Sequence, residues 1–395
     1  MIGPGNWLGM IGGGQLGRYF TMAAQTLGYR VMVLDPDADS PAGRSADLHL
    51  CAAFDDEAAL DAMAERCAAV TTELEGVPAA SLARLAGRCV VAPAAGAVAV
   101  AQDRISEKAL LETVVGVVPY AVIRTAADCA RAPVALFPAI LKTARLGYDG
   151  RGQARVADAA AAQAAFGRFG GVPCVLEKRV ALARELSVVL ARNAEGRIAV
   201  YAVAENRHVD GILDVSIVPA QVTPRTALQA REAAVAVAEA LDYCGVMCLE
   251  LFELEDGRLL ANEMAPRPHN SGHWTLDAAA HSQFEQQVRV LAGLPLADPA
   301  QRAPAVMVNL LGDLWRDGEP DWSGLLGDAN TRLWLYGKAE ARPGRKMGHF
   351  TCIDADIASA LQRAARLRPA LATSAGASAP PRRAMKTQQP ALPCS

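Results

Sequence analysis

No apolar run in this 395-residue chain approaches the roughly 20 residues that a membrane-spanning helix needs. The start has no basic region ahead of an apolar stretch, so no secretory leader is expected. Excess charge of either sign is missing too: 39 Lys and Arg stand against 42 Asp and Glu, a formal −3, which argues against a dedicated nucleic-acid protein. The nine cysteines are scattered, mostly in apolar runs, and never form a close CxxC with partner ligands. That excludes an expected zinc site and favours reduced, mostly buried thiols in a cytoplasmic protein. No Ser–His or Cys–His nucleophile stands out. What remains is a chain long enough for two or three domains and a large core.

The chain opens as a doubly wound α/β unit. Leu8–Gly12 is a short apolar strand that runs into GGGQLG and a helical stretch to Leu27; Tyr29–Asp35, Ala68–Glu73 and Cys89–Ala92 read as further strands. Glycines at 12, 14 and 17 satisfy G-x-G-x-x-G, and Asp35 falls near the place of a ribose-binding acid in a dinucleotide fold. Any turn that brings a helix N-terminus to a phosphate also wants glycines. An NAD-dependent oxidoreductase therefore stays open at this point.

Two later stretches point to nucleotide phosphates held by a metal. The run GVMCLELFELEDGRLLANEMAPRPHNSGH begins at Gly245, and its Asp256-Gly257 pair is a strong two-residue hairpin signal, since glycine tolerates positive φ. Folding there sets Glu255 opposite Arg258 and, counting outward, Glu250 opposite Glu263. Alternation puts both carboxylates on one face, where directly opposed like charges are destabilising. A cation between them is the expected remedy. Two strand-borne carboxylates with few other ligands suit Mg²⁺, which takes its remaining oxygens from waters and phosphates. The alternative is an exposed acidic hairpin with its register slipped by one.

Upstream, Gln102–Glu112 reads as a helix with Arg104 and Lys108 four apart on one face, either functional or merely solvated. Pro138–Thr143 is a strand carrying Lys142 among apolar neighbours. Residues 147–153, GYDGRGQ, then lead into a strand at Ala154–Ala157. A glycine-rich loop between two strands differs from a Walker loop, but its N–H groups can cover phosphates as a flap. A plain flexible hairpin is the alternative. After the acidic hairpin, APRPHNSGHW packs Arg267, His269, Asn270, Ser271 and His273 into a few residues, a donor density that suits a substrate site or a solvated loop. Ala305–Leu311, Thr331–Tyr336 and His349–Ile353 read as strands of a small C-terminal unit with a basic turn at Arg345-Lys346.

With these residues in place, the chain resembles the N5-carboxyaminoimidazole ribonucleotide synthetases, ATP-grasp ligases of de novo purine synthesis. The resemblance covers roughly residues 7–365 and rests on MIGGGQLGRY, FPAILKTARLGYDGRGQ, ENRHVDGIL, NEMAPRPHNSGHWT, VNLLGD and YGKAEARPGRKMGH in that order. It implies a mixed α/β and α+β architecture. A doubly wound pre-ATP-grasp domain over residues 1–100 precedes an ATP-grasp domain over 101–295, hinged near 177–185. A small β-rich domain follows over 296–372, then a disordered tail over 373–395.

The resemblance also implies roles. ATP and Mg²⁺ would be the cofactors, with Arg104 and Lys142 on the phosphates and Gly147, Tyr148, Asp149, Gly150, Arg151, Gly152 and Gln153 as the covering loop. Glu177, Lys178, Arg179 and Val180 would read adenine, Glu185 the ribose, and His208, Asn262 and Glu263 would complete the nucleotide site; Glu250 and Glu263 would hold the metal. Arg267, His269, Asn270 and Lys346 would act on bicarbonate and the second substrate, 5-aminoimidazole ribonucleotide. That ribonucleotide would lie against Gly14, Gln15, Leu16, Glu73, Lys338 and Arg345. A cytoplasmic homodimer is implied, with no nucleic-acid or membrane partner. One departure stands out: where the family pattern has Glu-x-Glu-Asn-Val-Pro, this chain has Gly76 in place of Asn. Another ATP-grasp ligase of purine metabolism is the nearest rival reading.

Overall fold

The computed structural model describes residues 1–145, 147 and 152–371. Tyr148, Asp149, Gly150, Arg151 and the tail lie outside the described residues. Among the described residues are three sheets, and no helix is long and apolar enough to cross a membrane.

The first sheet is parallel. Its strands are β1 (Trp7–Ile11), β2 (Arg30–Leu34), β3 (Leu48–Leu50), β4 (Ala69–Thr72) and β5 (Val90–Val91), in the order β3-β2-β1-β4-β5. Such sheets are covered on both faces, which is why these strands are mostly apolar. Leu8, Met10 and Val31 pack against Val288 and Leu291 of the Gln283–Leu291 helix. Ile11, Met32 and Val70 face Leu60, Met63 and Leu82 on the other side. Asp56 caps the Glu57–Arg66 helix by accepting from Ala59 N–H.

The second sheet is antiparallel: β6 (Tyr120–Ile123), β7 (Ala139–Thr143), β8 (Gln153–Val156) and β9 (Cys174–Lys178), in the order β6-β9-β7-β8. Leu141, Val156 and Leu176 bury one face against Ala162 and Phe166 of the Ala159–Arg168 helix.

The third sheet has nine strands, all in antiparallel pairs: β10 (Leu182–Arg192), β11 (Ile198–Val200), β12 (Ala204–Val209), β13 (Ile212–Val218), β14 (Gly245–Leu254), β15 (Leu259–Ala265), β16 (Ala305–Leu311), β17 (Thr331–Leu335) and β18 (Lys346–Ile353). Its order is β15-β14-β10-β12-β13-β16-β18-β17, with β11 on β10. The three C-terminal strands therefore form no sheet of their own. β16 takes the edge of β13, pairing Val308 with Val215 and Val306 with Ile217, and the apolar edge is covered by continuation. The β12–β13 hairpin, unassigned in the sequence reading, turns on Asp210 and Gly211, both at positive φ. Its Asp-Gly pair was the available signal. The Ala159–Arg168 and Ile357–Leu367 helices were also unassigned.

The acidic hairpin reaches the expected pairing by an unexpected route. Leu254 N–H donates to the Arg258 carbonyl at 2.9 Å, so the loop holds three residues, with Gly257 at φ +81. Glu255 does not oppose Arg258, and the register near the turn is off by one: Leu251 pairs with Ala261 and Phe252 with Leu260. A bulge between Glu250 and Leu251 inserts Asn262 and restores Glu250 opposite Glu263.

Candidate functional site

Side chains from the four-stranded and nine-stranded sheets meet around the Arg104–Val114 helix. Asp103 caps that helix through Ile105 N–H and Ser106 N–H, and its carboxylate also holds Arg145 Nε at 3.0 Å, where the glycine-rich loop begins. Arg104 NH1 lies 2.6 Å from Glu263 Oε2, and its NH2 donates to the Gly147 carbonyl at 3.3 Å. On β7 and β9, Lys142 Nζ meets Glu177 Oε2 at 2.6 Å. Lys142 and Glu177 are both buried. The helix face with Arg104 and Lys108 is therefore interior, and the solvated alternative fails.

Glu250 and Glu263 sit side by side, and each already has a cationic neighbour. Arg104 serves Glu263, and His269 Nε2 lies 3.1 Å from Glu250 Oε1. Burial opposes ionisation of Glu263, but Arg104 and Lys142 outweigh it and hold the carboxyl well below its usual range. The Glu263 side chain is 36% exposed, so solvent partly screens that pairing. Burial likewise opposes charge on His269, but Cys248 and Glu250 raise its pKa to about 10. Two hard carboxylate donors in register fit Mg²⁺ completed by waters and phosphates. No cluster of three or more His, Cys, Asp or Glu able to cage a metal occurs among the described residues.

Several of the other residues expected on the nucleotide side have partners of their own. Thr143 N–H donates to the Gly152 carbonyl at 2.9 Å, tying off the far end of the glycine-rich loop beside Gln153. Gly152 takes φ +69, and a Cβ there would press on Thr143 Oγ1. The N–H groups of Lys178 and Arg179 are donated to the Pro119 and Pro138 carbonyls. Those two N–H groups are therefore not available to a ligand. His208 Nδ1 lies 2.9 Å from Glu185 Oε2; a register shift between Arg207 and His208 sets that ring. Burial would lower the His208 pKa, but the bond and charge of Glu185 raise it. Asn262 is buried at the bulge, with Oδ1 unpartnered among the described residues.

The opening glycine turn is filled by the protein itself. Glu73 accepts from Gly14 N–H and, at 2.6 Å, from Gly17 N–H. Asp35 accepts from Gly13 N–H at 2.6 Å. The helix N-terminus that a dinucleotide phosphate would occupy is thus met by a carboxylate, and the acid that would hold its ribose is tied to the turn. Burial pushes the Glu73 pKa up against those two bonds. Leu16, expected at the substrate, is instead buried with Tyr19, Phe284 and Tyr336, which leaves only its backbone for a ligand. Gln15 begins the Gln15–Thr26 helix.

The polar loop after β15 is internal rather than solvated. Arg267 NH2 pairs with Glu75 Oε1 at 2.9 Å, within the Glu75–Val77 turn that Gln102 Nε2 pins through two carbonyls. Gly76 sits in that turn, where an added Cβ would meet only the end of the Leu74 side chain. His269 Nδ1 lies 2.8 Å from Ser271 Oγ, which accepts from Ser187 Oγ at 2.7 Å. Asn270 and Asn309 exchange amide bonds of 3.0 and 2.7 Å. Both polar ends of Asn270 are engaged, so its place here is in holding the loop. Lys338 Nζ donates to the Lys346 carbonyl at 2.8 Å and lies over the Tyr336 ring. Arg345 NH1 donates to the Glu340 carbonyl at 3.0 Å. Glu107, Ser187 and Asn309 carry no local signal for the site, whereas Lys108 is marked by its spacing from Arg104 and Ser271 by the donor density of its loop.

Three family profiles match in order: the ribonucleotide synthetase preATP-grasp domain over residues 6–102, the ATP-grasp domain over residues 108–284, and the phosphoribosylaminoimidazole carboxylase C-terminal domain over residues 305–363. The N5-carboxyaminoimidazole ribonucleotide synthase of Brucella melitensis is 46% identical over 354 residues, spanning 89% of this chain and 97% of the relative. An ADP complex of N5-carboxyaminoimidazole ribonucleotide synthetase superposes with a TM-score of 0.87 at 37% identity, covering 93% of this chain and 97% of that one. The Aspergillus clavatus synthase solved with ADP and 5-aminoimidazole ribonucleotide gives a TM-score of 0.85 at 29% identity, with 93% and 98% covered.

Proposed function

The chain belongs to the N5-carboxyaminoimidazole ribonucleotide synthase family, and on that premise we propose how its residues divide the work of carboxylating 5-aminoimidazole ribonucleotide with bicarbonate and ATP. The products are N5-carboxyaminoimidazole ribonucleotide, ADP and phosphate. Bicarbonate is a poor electrophile at neutral pH, so the carboxyl carbon must be activated first. A bicarbonate oxygen attacks the γ-phosphorus and the bond to ADP breaks, giving carboxyphosphate. The exocyclic amine then takes the carboxyl group, directly or through CO₂, as phosphate leaves and the amine gives up a proton.

Phosphoryl transfer of this kind depends on positioning and charge neutralisation. Lys142 and Arg104 supply fixed cations beside the transferred phosphoryl group. Glu250 and Glu263 are the residues that would hold Mg²⁺, which neutralises phosphate charge when bound. The Gly147–Gln153 loop excludes water from the labile carboxyphosphate. Arg267, His269 and Lys346 orient bicarbonate and carboxyphosphate, with Asn270 holding their loop. Lys338, Arg345, Gly14, Gln15 and Glu73 face the ribonucleotide.

The observation that carries this reading is the in-register Glu250–Glu263 pair, flanked by Arg104, Lys142 and the internal loop with Arg267 and His269. Its test is phosphate release from Mg-ATP and bicarbonate, with and without 5-aminoimidazole ribonucleotide. Release that needs the ribonucleotide and yields the unstable carbamate is expected; release indifferent to it refutes the substrate assignment. Glu263→Gln should cut turnover at least about 100-fold with the fold intact, and near-parental activity would refute the metal assignment. The protein is further read as a cytoplasmic homodimer. The free state of the eight described cysteines supports a reducing compartment, and family resemblance supports the dimer, which light scattering tests.

A further inference from the structure

The Arg104–Val114 helix lies between β9 and β15, and its most deeply buried cation has no part in the scheme above. Lys108 is fully buried. Its Nζ donates to the Asn262 carbonyl at 2.8 Å and lies 3.2 Å from Glu177 Oε1. The other oxygen of Glu177 holds Lys142 at 2.6 Å. One ammonium thus bonds β9 of the four-stranded sheet and β15 of the nine-stranded sheet. Its contact on β15 is the bulge residue that brings Glu263 level with Glu250. On the other side of Glu263, Met264 N–H donates to Glu107 Oε1 at 2.5 Å. The backbone is therefore gripped on both sides of the carboxylate.

We propose that Lys108 is a positioning residue: it fixes the phosphate-side Lys142 and the metal-side Glu263 relative to each other across the cleft, with Glu107 as its helper. The proposal rests on the nucleotide and Mg²⁺ reading of this cleft and is independent of the identity of the second substrate. A buried ion pair stabilises a fold little compared with apolar side chains of the same volume. What the ammonium supplies is placement: it donates to one carbonyl and pairs by charge with one carboxylate, fixing the two relative to each other. Arg104 pairs with Glu263 and donates to the Gly147 carbonyl; Glu177 feels its charge, but Lys108 alone of the two also holds the Asn262 carbonyl.

Lys108→Met keeps the length and the apolar packing and removes the donors. ADP affinity is measured by calorimetry over a range of Mg²⁺ concentrations, alongside a thermal unfolding curve and the KM for 5-aminoimidazole ribonucleotide. The expected result is a cooperative fold, ADP affinity lower by about 10- to 100-fold, as for loss of a buried charged hydrogen-bond partner, and a raised Mg²⁺ requirement. The ribonucleotide KM stays parental. Parental ADP affinity and Mg²⁺ dependence in a folded variant overturn the proposal. Should Lys108→Met not fold, Glu177→Gln decides: one amide cannot accept from both ammonium groups, so ADP affinity must fall about tenfold or more, and parental affinity overturns the proposal. Binding is read without turnover. A parent protein that binds Mg·ADP yet shows no ribonucleotide-dependent phosphate release therefore refutes the function and leaves the Lys108 comparison standing.

Discussion

Glu107 offers a stability prediction with a sign that runs against intuition about buried acids. Its carboxyl is 2% exposed, and burial, then the charge of Glu263, push its pKa from 4.5 to about 8 against the pull of Arg104. At neutral pH the folded ligand-free protein holds this group protonated, whereas the unfolded chain ionises it. A carboxyl with a raised folded pKa contributes nothing unfavourable below the unfolded value. It costs stability progressively as pH climbs toward the folded value. Between pH 4.5 and 7 the cost reaches about 3 kcal/mol, and it levels near about 5 kcal/mol above pH 8, at about 1.4 kcal/mol for each pH unit between the two pKa values. Glu107→Gln removes the titration while keeping an oxygen to accept from Met264 N–H. The variant should therefore gain on the parent by about 3 kcal/mol between pH 5 and 8. Any fixed offset from the extra amide donor is the same at every pH and drops out. Urea unfolding followed by tryptophan fluorescence, without nucleotide or Mg²⁺, measures the gap. A gap that is flat with pH, or that closes as pH rises, refutes the assignment of a neutral Glu107.

Three further outcomes follow from the same geometry. Lys338→Ala should raise the KM for 5-aminoimidazole ribonucleotide by about tenfold or more and leave that for ATP nearly unchanged; steady-state kinetics showing the reverse would refute its placement. Gly12→Ala forces a Cβ into Glu73 Cγ at φ +106, so a loss of about 2 kcal/mol or more in unfolding free energy is expected, and a neutral effect would show that Glu73 does not fill the turn. Asn270→Ala leaves Asn309 Oδ1 buried without its donor, while the Asn309 amide keeps the Leu213 carbonyl, a loss of about 1–3 kcal/mol. Adding Asn309→Ala should cost little more in a double-mutant cycle, whereas full additivity would rule out the reciprocal pair.

Much of this molecule could be read from local pattern. Apolar runs with glycine turns gave the parallel opening sheet, because strands buried on both faces need no alternation. The strand-to-strand glycine loop after Lys142 and the Asp256-Gly257 turn were legible for the same kind of reason: backbone conformation restricts residue type within a few positions. Even the Glu250–Glu263 pairing was reached from sequence, though through a two-residue turn that is not there. The three-residue loop and the bulge at Asn262 each shift the register by one, in opposite senses. Only the folded chain shows that the two shifts cancel.

What tertiary structure alone decided is which distant groups meet. Glu73 enters the glycine turn from 56 and 59 residues away, converting a dinucleotide fingerprint into a closed internal bond. Asn309 takes up the amide of Asn270, and β16 joins β13, so the C-terminal strands complete the large sheet. Lys108 reaches Asn262 across 154 residues. Periodicity and turn chemistry act over a few residues and fix elements. Partner choice is set by desolvation: a buried charge or amide is tolerated only where the completed fold supplies its counterpart, and no short stretch of sequence records where that counterpart will be.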